Sequence, residues 1–234
     1  MSPENIESLL RVLRFLGFAE CIPLTEEFFD RVNDNTIMLS IAGEIQFDEA
    51  RRLDLSVYFK RSKTTGQFYF SYYTVTIDAD EGPNFKKFHT FYVNKGTGMT
   101  LKEAYNLLMG RSVYKQQWTP EGERYYAWIK LNLLEGDEDG FKVIKYRSGF
   151  DLEKALAQYP IRELQEEEIR RNLIMSLQKG NIHLVTFVKS GRTEQHFIEA
   201  CPERRCIIIT RFNQTLENSA QKKEKRRSNK KKDT

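Results

Sequence analysis

The 234-residue sequence holds little of what metal and redox chemistry is built from: three cysteines (Cys21, Cys201 and Cys206) and three histidines. An odd cysteine count without framework spacing excludes a disulfide scaffold, so reduced thiols are expected. C-x-x-C is absent, and Pro202 and charged residues intervene between Cys201 and Cys206, so these two do not read as a redox pair. Structural zinc sites use tight Cys and His pairs, whereas twelve residues separate His183 from His196; small apolar cysteines and ordinary sheet histidines are the simpler reading. No stretch approaches the ~18 consecutive apolar residues of a membrane span. Met1-Ser2-Pro3-Glu4-Asn5 is not a basic segment leading into an apolar run, so no secretory signal is expected and the protein is placed in the cytoplasm.

Nucleotide, calcium and acyl-transfer chemistry are as thinly provided for. Lys95-Gly96-Thr97-Gly98 precedes a helix, where backbone N–H groups can cradle phosphate, but the rest of a Walker sequence is missing and a glycine-rich turn is favoured. Asp137-Glu138-Asp139-Gly140 lacks the ligand ladder of a calcium loop and reads as a solvated hairpin turn. No Ser/His/Asp or Cys/His arrangement can be assembled. The expectation is a protein that is not an enzyme and carries no cofactor or metal.

Aromatic residues and basic charge are what the chain does hold. Its 16 Phe, 11 Tyr and 2 Trp supply enough apolar area for a core. The net charge of +4 is unevenly placed: Lys222, Lys223, Lys225, Arg226, Arg227, Lys230, Lys231 and Lys232 make the carboxyl terminus a tail of about +6, leaving a body near −2. Such a tail attracts any polyanion without sequence preference. Past Phe212 the apolar pattern stops, and disorder is expected over 213–234.

A strand–turn–helix motif occurs twice, at Phe88 to Met109 and at Phe141 to Tyr159. Thr100-Leu101-Lys102-Glu103 is a capping box, in which hydroxyl and carboxylate each accept a backbone N–H of the other's residue. Asp151 can cap in the same way, but Lys154 replaces the reciprocating acid. Gly98-Met99 and Gly149-Phe150 precede the two caps equivalently, which reads as a duplicated unit.

Ser2 and Pro3 start a first helix whose stripe is Ile6, Leu9, Leu10, Leu13 and Leu16, ended by Gly17. Thr25 opens an expected second helix that stops near Asn33, giving an N-terminal helical hairpin. Leu53 to Phe59 alternates as a strand, and Lys63 to Gly66 turns into a second at Gln67 to Ile77, with aromatics on both faces. That pattern fits a strand covered on both sides, or one whose outer face is a binding platform. Arg111 to Glu123 reads as an irregular crossing. Arg124 to Leu134 alternates again, with Tyr126, Trp128 and Lys130 on one face. Bases can stack on such a row, although helix-covered aromatics are the plainer alternative. A helix over Glu166 to Lys179 and three strands, at His183 to Val188, Glu194 to Glu199 and Arg205 to Arg211, complete the body.

Several segments taken together are familiar: Gly96-Thr97-Gly98-Met99-Thr100-Leu101-Lys102-Glu103-Ala104, Gly110-Arg111-Ser112-Val113-Tyr114-Lys115, Tyr126-Ala127-Trp128-Ile129-Lys130-Leu131, Gly149-Phe150-Asp151-Leu152, Tyr159-Pro160-Ile161-Arg162 and Phe197-Ile198-Glu199-Ala200. In this order they resemble an uncharacterised family of proteins from Bacteroidetes-type bacteria, often encoded on conjugative transposons and related mobile elements, across Leu9 to Phe212. The resemblance implies a mobile-element setting and an accessory role in DNA transfer or maintenance, and no known activity. Where that family tends to read Ala-Asn-Pro, this chain has Ala200-Cys201-Pro202, so a family-wide role for Cys201 does not follow.

The expected architecture is α+β: a helical hairpin at 1–35, strand–helix units at 36–115 and 116–165, a helix with a three-stranded meander at 166–212, and the basic tail at 213–234. The expected function is that of a non-enzymatic accessory protein of a mobile element. It binds DNA, RNA or a nucleoprotein complex through the tail and through Tyr126, Trp128 and Lys130. The alternative is an adaptor that docks another protein on the aromatic sheet or the helical hairpin.

Overall fold

The first helix, α1 (Pro3–Leu16), begins where the sequence places it. Ser2 Oγ accepts the Asn5 N–H at 3.3 Å, and Gly17, left-handed at φ 86°, ends the helix. The computed structural model describes residues 1–22, 24–25, 28–29, 32–33, 35–47, 51–78, 86–94 and 98–212. The basic tail, residues 79–85 and Lys95-Gly96-Thr97 of the expected glycine-rich turn lie outside them. The chain divides into two units, Met1–Ser148 with Gln178–Gly180, and Gly149–Leu177 with the residues from Asn181 onward.

The helical hairpin expected at the amino terminus is overturned. Among the described residues α1 is the one named helix ahead of the first strand; near Thr25 the Phe28 and Phe29 N–H groups donate to the Thr25 carbonyl at 3.1 and 3.4 Å. The segment is short: Phe28 is buried and Leu24, Phe29 and Val32 pack against the core, so tertiary contact rather than helix propensity holds this run.

In the first unit the chain continues as β1 (Met38–Gln46), β2 (Arg52–Arg61), β3 (Phe68–Asp78), β4 (Lys86–Tyr92), α2 (Leu101–Leu108), β5 (Val113–Trp118), β6 (Arg124–Asp137) and β7 (Gly140–Tyr146). These strands form one antiparallel sheet in the order β1-β2-β3-β4-β7-β6-β5. The segment expected to be an irregular crossing therefore contains an edge strand, β5, whose Val113 is buried opposite Ile129. Leu9, Leu13 and Leu16 of α1, Leu101, Ala104, Leu107 and Leu108 of α2, and the inward residues of the sheet make one core. Phe18 sits at its centre, edge-on to Tyr73 at 4.7 Å and to Phe70 at 5.5 Å. The capping box of α2 is complete: the Thr100 N–H donates to Glu103 Oε2 at 2.8 Å and the Glu103 N–H to Thr100 Oγ1 at 3.2 Å. The same buried carboxylate pairs with Lys115 of β5.

The two halves of the sheet meet at a narrow seam. β4 and β7 share one register pair, His89 with Gly140, beside which the Thr90 N–H donates to the Asp139 carbonyl at 2.9 Å and the Phe141 N–H to His89 Nδ1 at 3.0 Å. Burial lowers the His89 imidazole to about 4, against the upward pull of Asp137 and Asp139. Because the folded value lies below the ordinary 6.5, the unfolded chain takes up a proton that the folded chain refuses. Stability is thus fully retained above pH 6.5 and falls as pH drops towards 4, by about 3 kcal/mol in all from this group. Urea midpoints at pH 7.5 and 4.5 test this against His89→Asn, whose amide oxygen can accept in place of Nδ1 without the titration. The variant should lose clearly less than the parent on acidification, and equal losses would exclude His89 as the source.

The second unit holds α3 (Leu152–Leu156), a 3-10 turn at Arg162–Leu164, α4 (Glu167–Gln178) up to Leu177, β8 (His183–Lys189), β9 (Arg192–Cys201) and β10 (Cys206–Arg211). Asp151 caps α3 through the Lys154 N–H at 3.1 Å. The three strands form the expected meander, ordered β10-β9-β8. The outer edge of β8 is closed by the chain before α4. The Val188 N–H donates to the Pro160 carbonyl, the Thr186 N–H donates to both Glu163 carboxylate oxygens at 3.0 Å, and Arg162 holds the Thr186 hydroxyl at 2.9 Å. No helix among the described residues is long and apolar enough to cross a membrane.

Candidate functional site

Alternation along β2 divides its residues between two faces. Leu53, Leu55, Val57 and Phe59 are buried in the core, while Asp54, Ser56, Tyr58 and Lys60 face the other way. On β3 strict alternation would turn Tyr73 outward with Tyr69. A bulge prevents this: Lys60 pairs with Tyr69 and Phe59 with Phe70, but Tyr58 pairs with Tyr72, so Ser71 is the extra residue. Phe70 and Tyr73 consequently both reach the core, and Tyr69 and Tyr72 both stay outside.

The register then lines up a row across four strands, Ser40, Tyr58, Tyr72 and Tyr92. The Tyr58 and Tyr72 rings stack with centroids 4.4 Å apart and 13° between planes, and the Tyr92 ring lies 5.8 Å beyond at 44°. Lys60 Nζ stands 5.2 Å over the Tyr72 ring. Burial first, then Tyr58, Tyr92 and Asp139, push the Tyr72 phenol up, so it remains a neutral hydroxyl. Tyr92 is 62% exposed at the end of the row and offers an open ring face.

Beside the row lies a shallow depression of about 410 Å³ whose floor is Ala42, Ser56, Thr74 and Thr76. Glu44 and Asp54 stand at its rim, tied to Arg52 at 3.3 and 3.5 Å, and Lys86 approaches Asp54 at 3.8 Å. Stacking surface, hydroxyl donors and acceptors, and neutralised charge thus adjoin one another on one sheet face. That combination suits a planar, polar ligand group that stacks on one side and hydrogen-bonds along its edge.

The residues singled out in the sequence fare unequally. Tyr126 is 54% exposed and stacks on Tyr114 at 5.5 Å. Trp128, expected beside it as a stacking surface, is 4% exposed and packs against Tyr114 at 5.2 Å, so it has no free face for a base. Lys130 is half-buried on the same strand. Lys222, Lys223, Lys225, Arg226, Arg227, Lys230, Lys231 and Lys232 lie outside the described residues. His183 and His196 share a face of the second sheet, while strand alternation puts Cys201 on the other, and no group of three or more metal-ligating side chains gathers among the described residues. The Tyr58–Tyr72–Tyr92 row was not singled out. Its outward parity on β2 was readable, but the pairing that joins it depends on the bulge.

Comparison with protein-family models, with curated proteins and with solved structures returns no match for this chain.

Proposed function

We propose that this is a non-enzymatic nucleic-acid-binding protein that holds unpaired bases on the Tyr58–Tyr72–Tyr92 face, with the basic tail as its electrostatic contact. The observation that carries the reading is the row itself, ending in an exposed ring, with Lys60 over it and hydroxyls beside it. Aromatic platforms of this kind favour single strands, whose bases are free to stack. Following the resemblance noted in the sequence, the setting is a mobile element and the role an accessory one in DNA transfer or maintenance, with DNA, RNA or another element-encoded protein as partner.

A second reading, an adaptor that receives an extended protein segment along β1, is favoured by the exposed Ile37 and Met38 at that sheet edge, where the Tyr72 hydroxyl approaches the Met38 sulfur at 4.0 Å.

Fluorescence anisotropy with single-stranded DNA, duplex DNA and RNA over a salt series separates the two, using the full chain and a chain ending at Asn218. The tail's eight cations give a slope of log K against log salt no steeper than about −7. The shortened chain should still prefer single strands, and Tyr92→Ala should weaken it by about 5- to 150-fold, the effect of one lost stacking contact. If binding disappears entirely with the tail, the sheet platform is wrong. If neither chain binds at low salt, the nucleic-acid reading fails and the adaptor reading replaces it.

A further inference from the structure

Strand pairing brings together two thiols that sequence spacing kept apart. In the register of β9 with β10, Cys201 stands directly opposite Cys206, closing a hairpin whose loop is Pro202–Arg205. The loop is fixed by the Arg205 N–H donating to the Pro202 carbonyl at 3.2 Å, with Arg205 itself left-handed at φ 55°. Opposed residues of an antiparallel pair have Cα atoms about 4.5–5.5 Å apart and side chains on the same face. That separation falls within the ~4.4–6.8 Å that a disulfide spans. Both thiols are free, and Cys201 is close enough to help push the Cys206 thiol up. Cys21 belongs to the other unit, where its thiol donates to the Phe18 carbonyl at 3.5 Å.

We propose that Cys201 and Cys206 are a modification site, a cross-strand pair that closes to a disulfide on meeting a peroxide. Cys206, the less buried of the two, attacks first. Its thiolate sulfur bonds to one peroxide oxygen, the O–O bond breaks, and the departing hydroxide takes a proton to leave as water. The Cys201 sulfur then attacks the Cys206 sulfenic sulfur, the S–O bond breaks, and the oxygen leaves as a second water carrying the Cys201 proton. Two thiols are oxidised by two electrons in total and one peroxide is reduced to two waters. A dithiol reverses the reaction by exchange. Burial, and then the adjacent Cys201 sulfur, hold the Cys206 thiol up against the pull of Arg204, so closure should be faster in alkaline buffer. The bond spans only a short loop, so its effect is to fix the β9–β10 hairpin rather than to stabilise the whole fold.

Arg204 and Arg205 lie between the two cysteines, which makes the bond directly readable. The full chain is exposed to hydrogen peroxide, its remaining thiols are blocked by alkylation, and it is then unfolded and cut with trypsin without reduction. The expected result is the peptide Thr193–Arg204 joined to Cys206–Arg211, releasable by a dithiol, with Cys21 alkylated. In Cys201→Ser, Cys206 should instead be trapped as its sulfenic acid by dimedone. Separate peptides, a link that includes Cys21, or an equal yield from chain unfolded in urea before oxidation would overturn the proposal.

Discussion

Gly140→Ala should destabilise the protein by roughly 4 kcal/mol, a large part of what a domain has. Gly140 has φ 113°, where a side chain is strained whatever the space around it. Space is lacking too: an added Cβ would lie 2.6 Å from His89 Cα, His89 Nδ1 and the Phe88 carbonyl oxygen. Two of these three atoms are backbone and cannot swing aside. The third accepts the Phe141 N–H, so moving it breaks a bond of the seam between β4 and β7. Strain and overpacking each contribute about 1–3 kcal/mol, and here they add at the one register pair that joins these strands. Gly66→Ala is the control, since its φ of 69° carries strain but nothing lies within 4 Å. Urea midpoints of the two variants decide the matter. If Gly140→Ala loses no more than Gly66→Ala, the seam is not the close approach described.

Asn5→Leu should cost about as much, from a different cause. Asn5 is 4% exposed on α1, yet its side chain binds the backbone at the start of β3: Nδ2 donates to the Phe68 carbonyl at 2.7 Å and the Phe68 N–H donates to Oδ1 at 2.8 Å. The amide stands in for a neighbouring strand. Leucine, branched alike but without polar atoms, leaves both groups buried without partners, at about 1–3 kcal/mol each. Ser2→Ala removes only the helix cap and should cost about 1 kcal/mol. Thermal unfolding of both variants distinguishes them, and an effect of Asn5→Leu no larger than that of Ser2→Ala would refute the bridging role.

Features carried by a few neighbouring residues were legible in the sequence. Ser2-Pro3 and Gly17 bound α1, and Thr100 with Glu103 forms the capping box because its chemistry is complete within four residues. Leu53 to Phe59 was readable because strand alternation repeats every second residue. The rest depended on partners distant along the chain. The expected second N-terminal helix had acids at the correct end and apolar residues to bury, but the contacts of Phe28, Phe29 and Val32 with the core, which a local reading does not contain, shape that segment. Asn5 was not singled out, since its partner is 63 positions away. Trp128 was assigned to an open face by parity alone, and parity does not reveal what covers a face. For the tyrosine row, the parity of Tyr58 on β2 was readable, and the bulge at Ser71 and the strand register supplied the rest. The Cys201–Cys206 pair failed the spacing rule for redox motifs because register, not spacing, makes the two residues neighbours.

The closed edge of β8 limits how copies of this protein can associate. An exposed strand on each side of a sheet lets molecules add end to end indefinitely, as they do in filaments. Here Pro160 and Glu163 already take the Val188 and Thr186 N–H groups on one side of the second sheet, which among the described residues leaves β10 as its open edge strand. Growth by strand addition at that sheet is therefore self-terminating among the described residues: a second molecule pairing β10 to β10 takes the open edge and leaves β8, already bonded to Pro160 and Glu163, at each end.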